Sequence, residues 1–170
     1  MEMRSTARSR RRRHGWRWLI GLIVVLVLLI GGATIVSVAM HPVTAARERV
    51  TELAVKRNKI TSATQFYAVS RNDTYYSVVG ENKKHQKIGV IVKGKSKKLV
   101  TVKMADGVSA AEVRQLVKSK YNPKRITSLG LAIYKQIPVW EVTFIDRQGN
   151  LNFITYQFAD GKAVRTIQHL

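Results

Sequence analysis

Residues 139–146 read Val139-Trp140-Glu141-Val142-Thr143-Phe144-Ile145-Asp146, and about 64 positions earlier the chain reads Tyr75-Tyr76-Ser77-Val78-Val79-Gly80-Glu81-Asn82. Both stretches are rich in β-branched and aromatic residues, and both run into an Asn or Asp that starts a turn. By offset, Tyr76, Val78, Asn82 and Val90 correspond to Trp140, Val142, Asp146 and Ile154, and Leu99 matches Val164 after one extra residue. The flanking elements repeat as well. Ahead of the first stretch, Ala46, Val50, Leu53 and Ala54 form a helical stripe that ends near residues 58–60. Strands are expected at Thr64–Ser70, Tyr75–Gly80, Lys87–Val92 and Leu99–Met104. In the second half Ser109 and Glu112 have the spacing of a capping box. They open a helix that buries Val113, Leu116 and Val117 and stops before Pro123. Strands are expected at Arg125–Tyr134, Val139–Asp146, Leu151–Phe158 and Ala163–Gln168, joined by turns at residues 147–150 and 159–162. The fold class is α+β: two tandem units, residues 43–104 and 105–170, each a helix packed on an antiparallel sheet. A unit of about 65 residues is marginal by itself, so the two are expected to pack together.

The sequence outside this repeat is segregated by charge. The chain has 170 residues, 30 Lys+Arg against 10 Asp+Glu, a net charge of +20 and no cysteine. That excludes disulfides, Cys-ligated zinc and a thiol nucleophile. Residues 1–17 hold seven of the arginines and one acid, and residues 18–40 hold no charge. As a helix, residues 18–40 would extend about 34 Å, enough to cross a hydrocarbon core. Trp16 and Trp18 stand where headgroups would lie, and the arginines before the span orient residues 1–17 to the cytoplasm. The expectation is a basic cytoplasmic tail, one transmembrane helix and an extracytoplasmic remainder. A cleaved secretory signal ending at Ser37-Val38-Ala39 competes with this reading, but its apolar region would be too long. An adjoining span explains the arginine run without nucleic acid as partner.

Residues 41–170 keep 23 cations and nine acids, a net of +14. Such a surface favours anionic partners: lipid headgroups or acidic wall polymer. The candidate binding residues are Lys83, Lys84, Lys87, Lys93, Lys95, Lys97 and Lys98, read as neighbouring hairpin ends of the first unit. The competing reading is a solvated hairpin with edge-guarding lysines.

No catalytic, metal or cofactor site is expected. His14, His41, His85 and His169 are too scattered to share a metal. No nucleophile elbow, P-loop or dinucleotide fingerprint occurs. Glu141 and Asp146 lie five apart on one strand, so they face opposite ways. Asp146 reads as a turn residue, Trp140 as core, and of Tyr75 and Tyr76 one is expected inward and one outward.

The chain resembles the TseB/YpmB-like cell wall elongation regulators of Gram-positive bacteria. The resemblance rests on residues 74–84, on residues 139–146, and on Gly149, Tyr156, Phe158 and Asp160-Gly161-Lys162. It implies a short cytoplasmic N-terminus, one transmembrane helix and two small PepSY/cystatin-like extracytoplasmic domains. It also implies a non-enzymatic regulator acting by protein–protein interaction with a membrane-bound penicillin-binding protein. A polyanion-binding module, holding teichoic acid or anionic lipid, and a protease-inhibitory PepSY-type module are the alternatives.

Overall fold

The computed structural model describes the backbone of residues 10–170 and the side chains of residues 18–30 and 43–170. The chain divides into two compact units, Met1–Pro42 and Val43–Leu170. Helix α1 spans Arg10–Lys56 and continues through Pro42. In the first unit the side chains of residues 18–30 are apolar or Gly and exposed. The rest of the expected span, residues 31–40, and the basic tail 1–17 lie outside the described side chains. Among the described residues no helix is long and apolar enough to cross a membrane.

The second unit holds eight strands and one further helix. Strands β1 (Ser62–Ser70), β2 (Thr74–Glu81), β3 (Lys87–Lys93) and β4 (Val100–Lys103) form one antiparallel sheet in that order. A 3-10 turn, Met104–Asp106, leads to α2 (Ala110–Tyr121). Strands β5 (Arg125–Tyr134), β6 (Ile137–Ile145), β7 (Leu151–Gln157) and β8 (Ala163–Ile167) form the second sheet, again in sequence order.

The two halves repeat at the level of individual hydrogen bonds. Val78 pairs with Val90 in the first sheet as Val142 pairs with Ile154 in the second. A β-bulge interrupts β1 between Ala63 and Gln65, and its counterpart interrupts β5 between Ile126 and Ser128. The extra residue is a threonine each time. Thr64 Oγ1 donates to the Val79 carbonyl at 3.0 Å, and Thr127 Oγ1 to the Thr143 carbonyl at 3.1 Å. The β2–β3 and β6–β7 turns match too. Asn82 Oδ1 accepts the Lys84 and Gln86 N–H groups, and Asp146 Oδ1 accepts those of Gln148 and Asn150. A side-chain oxygen closing its own turn fixes the hairpin register without help from packing. His85 holds a φ of 57° where its counterpart Gly149 holds 96°.

Each helix covers one face of its own sheet. Val50 and Ala54 of α1 pack with Val78, Val90 and Val92 in one cluster. Val113 and Val117 of α2 pack with Trp140, Val142, Phe144 and Ile154 in another. Leu116, expected in that core, is 40% exposed because it lies off the stripe that meets the sheet. The capping box of α2 forms as expected: Ser109 Oγ accepts the Glu112 N–H, and the Glu112 carboxylate accepts the Ser109 N–H at 2.6 Å.

The first sheet is covered on its other face by β5, the edge strand of the second. Gly89 and Gly130 make this approach possible. A Cβ on Gly89 would sit 3.1 Å from Leu131 Cδ1, and one on Gly130 would sit 2.8 Å from Val69 Cγ1. Both faces of β2 and β3 are therefore buried, and residues 77–80 and 88–92 are buried without interruption. This corrects the reading of Tyr75 and Tyr76 as one inward and one outward. Both are half-buried, Tyr76 against the α1 side and Tyr75 against the second sheet.

Candidate interaction surfaces

The lysines singled out from the sequence do not share one surface. Lys83 and Lys84 lie in the β2–β3 turn and Lys87 starts β3, whereas Lys93 ends β3 and Lys95, Lys97 and Lys98 follow it. Seven residues of strand put the two groups about 20 Å apart. Consecutive hairpins turn at alternate ends of a sheet, so adjacent turns in sequence become opposite turns in space. The first reading, of neighbouring hairpin ends, is corrected on this point.

The two ends differ in setting. Arg49 of α1 donates from Nη2 to the Gly94 carbonyl at 2.7 Å. The Lys93–98 group thus lies at the end where the chain enters the unit at Val43. Lys93 pairs with Asp73 at 2.7 Å, and that hydrogen bond holds its ammonium above the usual lysine range. Lys95, Lys97 and Lys98 are exposed. At the far end Lys83, Lys84 and Lys87 are exposed around the Asn82 turn, beside His85, whose Nδ1 is 3.7 Å from Glu81.

At that far end the first sheet and the start of α2 enclose a cleft of about 690 Å³, within the range of ligand-binding clefts. Lys87 and Lys103 come from the sheet and Arg114 from α2. Its floor includes Tyr67 and Trp140, edge to face with ring centres 5.5 Å apart. The Trp140 indole is fully buried and donates to the Val108 carbonyl at 2.8 Å, so it is core, as expected. Tyr67 donates to Gln65 Oε1 at 2.6 Å. Burial pushes its hydroxyl above the ordinary range, and the nearby Arg114 charge pulls the other way. Nothing local in the sequence signalled this cleft, because its lining comes from several separate segments.

A second polar cluster lies where the β1–β2 turn meets the outer face of the second sheet. Arg71 Nη1 donates to Thr155 Oγ1 at 2.8 Å, and its guanidinium stands 5.1 Å from the centre of the Phe153 ring. Its Nε and Nη2 are buried without a hydrogen-bond partner, beside a small cavity lined by Glu141 and Ser128. Burial raises the Glu141 carboxyl above the usual range, and Arg71 and Arg165 partly offset this. Asp146 serves its turn, accepting from Gln148, Asn150 and Asn152. Among the described residues no group of three or more His, Asp or Glu side chains converges as a metal site would need.

The repeat has known counterparts. Residues 51–93 match the cell wall elongation regulator TseB-like domain. The match covers the end of α1 and strands β1 to β3. Over 150 residues the chain is 25% identical to a Bacillus subtilis (strain 168) protein named "Probable cell wall elongation regulator TseB". That similarity covers 88% of this chain and 92% of the relative. The solved structure of the YpmB protein from Bacillus subtilis superposes with a TM-score of 0.60 at 24% identity. It covers 71% of this chain and 95% of that one, a likeness of fold. The TseB/YpmB-like resemblance read from the sequence is thus found in the domain match, the relative and the fold.

Proposed function

We propose that this protein is a membrane-anchored, non-enzymatic regulator of cell wall elongation in a Gram-positive bacterium. It acts outside the cytoplasm by protein–protein contact with a membrane-bound penicillin-binding protein. The observation that carries this reading is the similarity to the TseB-named relative across nearly the whole of both chains. The uncharged stretch of residues 18–40, with arginines ahead of it, supports a single span with residues 1–17 in the cytoplasm. An anchor of this kind confines the Val43–Leu170 unit to the layer in which a membrane-bound synthase also moves. Confinement raises effective concentration, so a weak interface suffices.

The test is crosslinking of the tagged full-length protein in cells, with purification at low and high salt. Recovery of a penicillin-binding protein at both salts is expected. Recovery of wall polymer or lipid alone, lost at high salt, would overturn the proposal. Protease added to intact protoplasts should remove residues 43–170 and spare an epitope at the N-terminus; the reverse pattern refutes the topology.

A further inference from the structure

We infer that the cleft between the first sheet and α2 is a binding site for a phosphate-bearing polymer chain. Three exposed cations from separate elements converge on it: Lys87 from β3, Lys103 from β4 and Arg114 from α2. No carboxylate lines it. Two neighbouring acids are committed, and Asp106, next to the lining residue Ala105, is exposed and does not line the cleft. Glu112 is bonded to the Ser109 N–H, and Glu81 faces His85. Because the capping box occupies the helix end, side chains rather than the α2 dipole must hold the ligand. Arginine grips a phosphate through two parallel N–H bonds and lysine serves as a mobile point charge, so the three cations suit anions spaced along a chain. Thr64, Gln65, Gln86 and Ser109 also line it. The Thr64 hydroxyl, the Gln65 and Gln86 Oε1 atoms and the Ser109 Oγ are engaged within the protein. That leaves the Gln65 and Gln86 amide N–H groups to meet the hydroxyls of a polyol phosphate.

The lining argues against an acidic protein segment as the occupant. Val79, Met104, Ala105, Ala110 and Ala111 give the cleft an apolar wall, but its large aromatics are not free anchors for a peptide. Trp140 is sealed in the core and the Tyr67 hydroxyl is taken by Gln65. The β1 edge beside the cleft is bulged at Thr64, which spoils it as a template for an added strand. The cleft also lies at the end of the sheet away from Val43, where the chain enters, while the Arg49–Gly94 contact marks the entry end. The ligand therefore approaches from the side opposite the point of entry.

The experiment titrates full-length protein in zwitterionic micelles with a poly(glycerol phosphate) oligomer, using polyglutamate as the carboxylate comparison. Two variants remove the same charge: Lys87→Gln/Lys103→Gln/Arg114→Gln at the cleft, and Lys95→Gln/Lys97→Gln/Lys98→Gln at the entry end. All six side chains are exposed, so circular dichroism should confirm an intact fold in both. The cleft variant is expected to lose on the order of tenfold or more in affinity for the phosphate polymer. Its slope of log K against log salt should fall by about 2, from about 0.7 per phosphate contact. The entry-end variant should stay within about threefold of wild type, because distant exposed charges are screened. Equal losses in both variants would mean a diffuse charge field and would overturn the site. So would no binding at low salt. Polyglutamate binding as tightly, with the same dependence on the cleft cations, would reassign the site to acidic protein segments.

Discussion

Replacing Gly130 by alanine tests whether the two repeats form one cooperative structure. The new Cβ would lie 2.8 Å from Val69 Cγ1 and 3.0 Å from Tyr67 Cβ. Carbon atoms in good contact sit about 3.5–4.0 Å apart, so β1 and β5 must separate by about 0.5–1 Å. The Val69 methyl can rotate away. The Tyr67 Cβ is fixed to its backbone, and its ring is held against Trp140. Overpacking of this kind costs about 1–3 kcal/mol. Removing a glycine from a strand returns about 0.5–1 kcal/mol. The net loss is therefore centred on about 1 kcal/mol and is at most about 2.5 kcal/mol, a factor of roughly 5 and at most about 70 in the unfolding equilibrium. Hydrogen exchange in rising urea, read by mass spectrometry, follows peptides of each repeat separately. The expected result is that core amides of β2–β3 and of β6–β7 exchange faster by the same factor. If one repeat loses protection while the other keeps it, or if neither changes, the shared core has been misread.

Other substitutions probe single contacts. Ser109→Ala should destabilise α2 by about 1 kcal/mol by removing its cap, measured by urea denaturation. The Ser109 hydrogen bonds hold the Glu112 carboxyl below the usual range, so its contribution is present above the unfolded pKa. It is lost as pH falls through the folded pKa, and in Ser109→Ala that acid-side loss should shrink. His85→Gly should raise stability by up to about 1 kcal/mol, since a non-glycine residue is relieved of a left-handed conformation; a loss of stability would show that the His85–Glu81 contact outweighs the strain. Arg71→Met removes a cation that lowers the Glu141 pKa, so carbon-detected NMR should find Glu141 titrating at higher pH than in wild type. With a raised folded pKa, Glu141 lets stability decline as pH rises from its unfolded pKa through its folded one, and the variant should extend that decline upward.

The repeat and its turns were legible because they are written locally. Asn82 and Asp146 each close a turn with their own side chain, Ser109 and Glu112 cap α2 within one turn, and Val78 and Val142 hold the same register in their sheets. What escaped depends on long-range packing. Tyr75 and Tyr76 alternate like a half-exposed strand, and only the arrival of β5 buries the second face. The lysines of residues 83–98 are close in sequence, yet β3 carries them to opposite ends of the sheet. Arg71 lies between β1 and β2; its contacts with Thr155 and Phe153 lie more than eighty residues downstream and have no local signature. The cleft is assembled from β1, β3, β4 and α2, so no single window of sequence contained it.

The way β5 sits on the first sheet is not reciprocal. The first repeat offers the face opposite its helix, and the second offers an edge, so the contact is head-to-tail. Repeated, such a contact would add a third unit and then a fourth, as in an open filament. The face of the second repeat that corresponds to the one receiving β5 carries Glu141, Thr143 and Thr155, and Arg71 reaches across to it. Where the first repeat has Ser77, Val79 and Ile91, the second has one charged and two hydroxyl-bearing side chains. That face resembles the polar outer face of a capping repeat, which ends a solenoid. Three positions on one face thus distinguish the second repeat from the surface that receives β5 in the first.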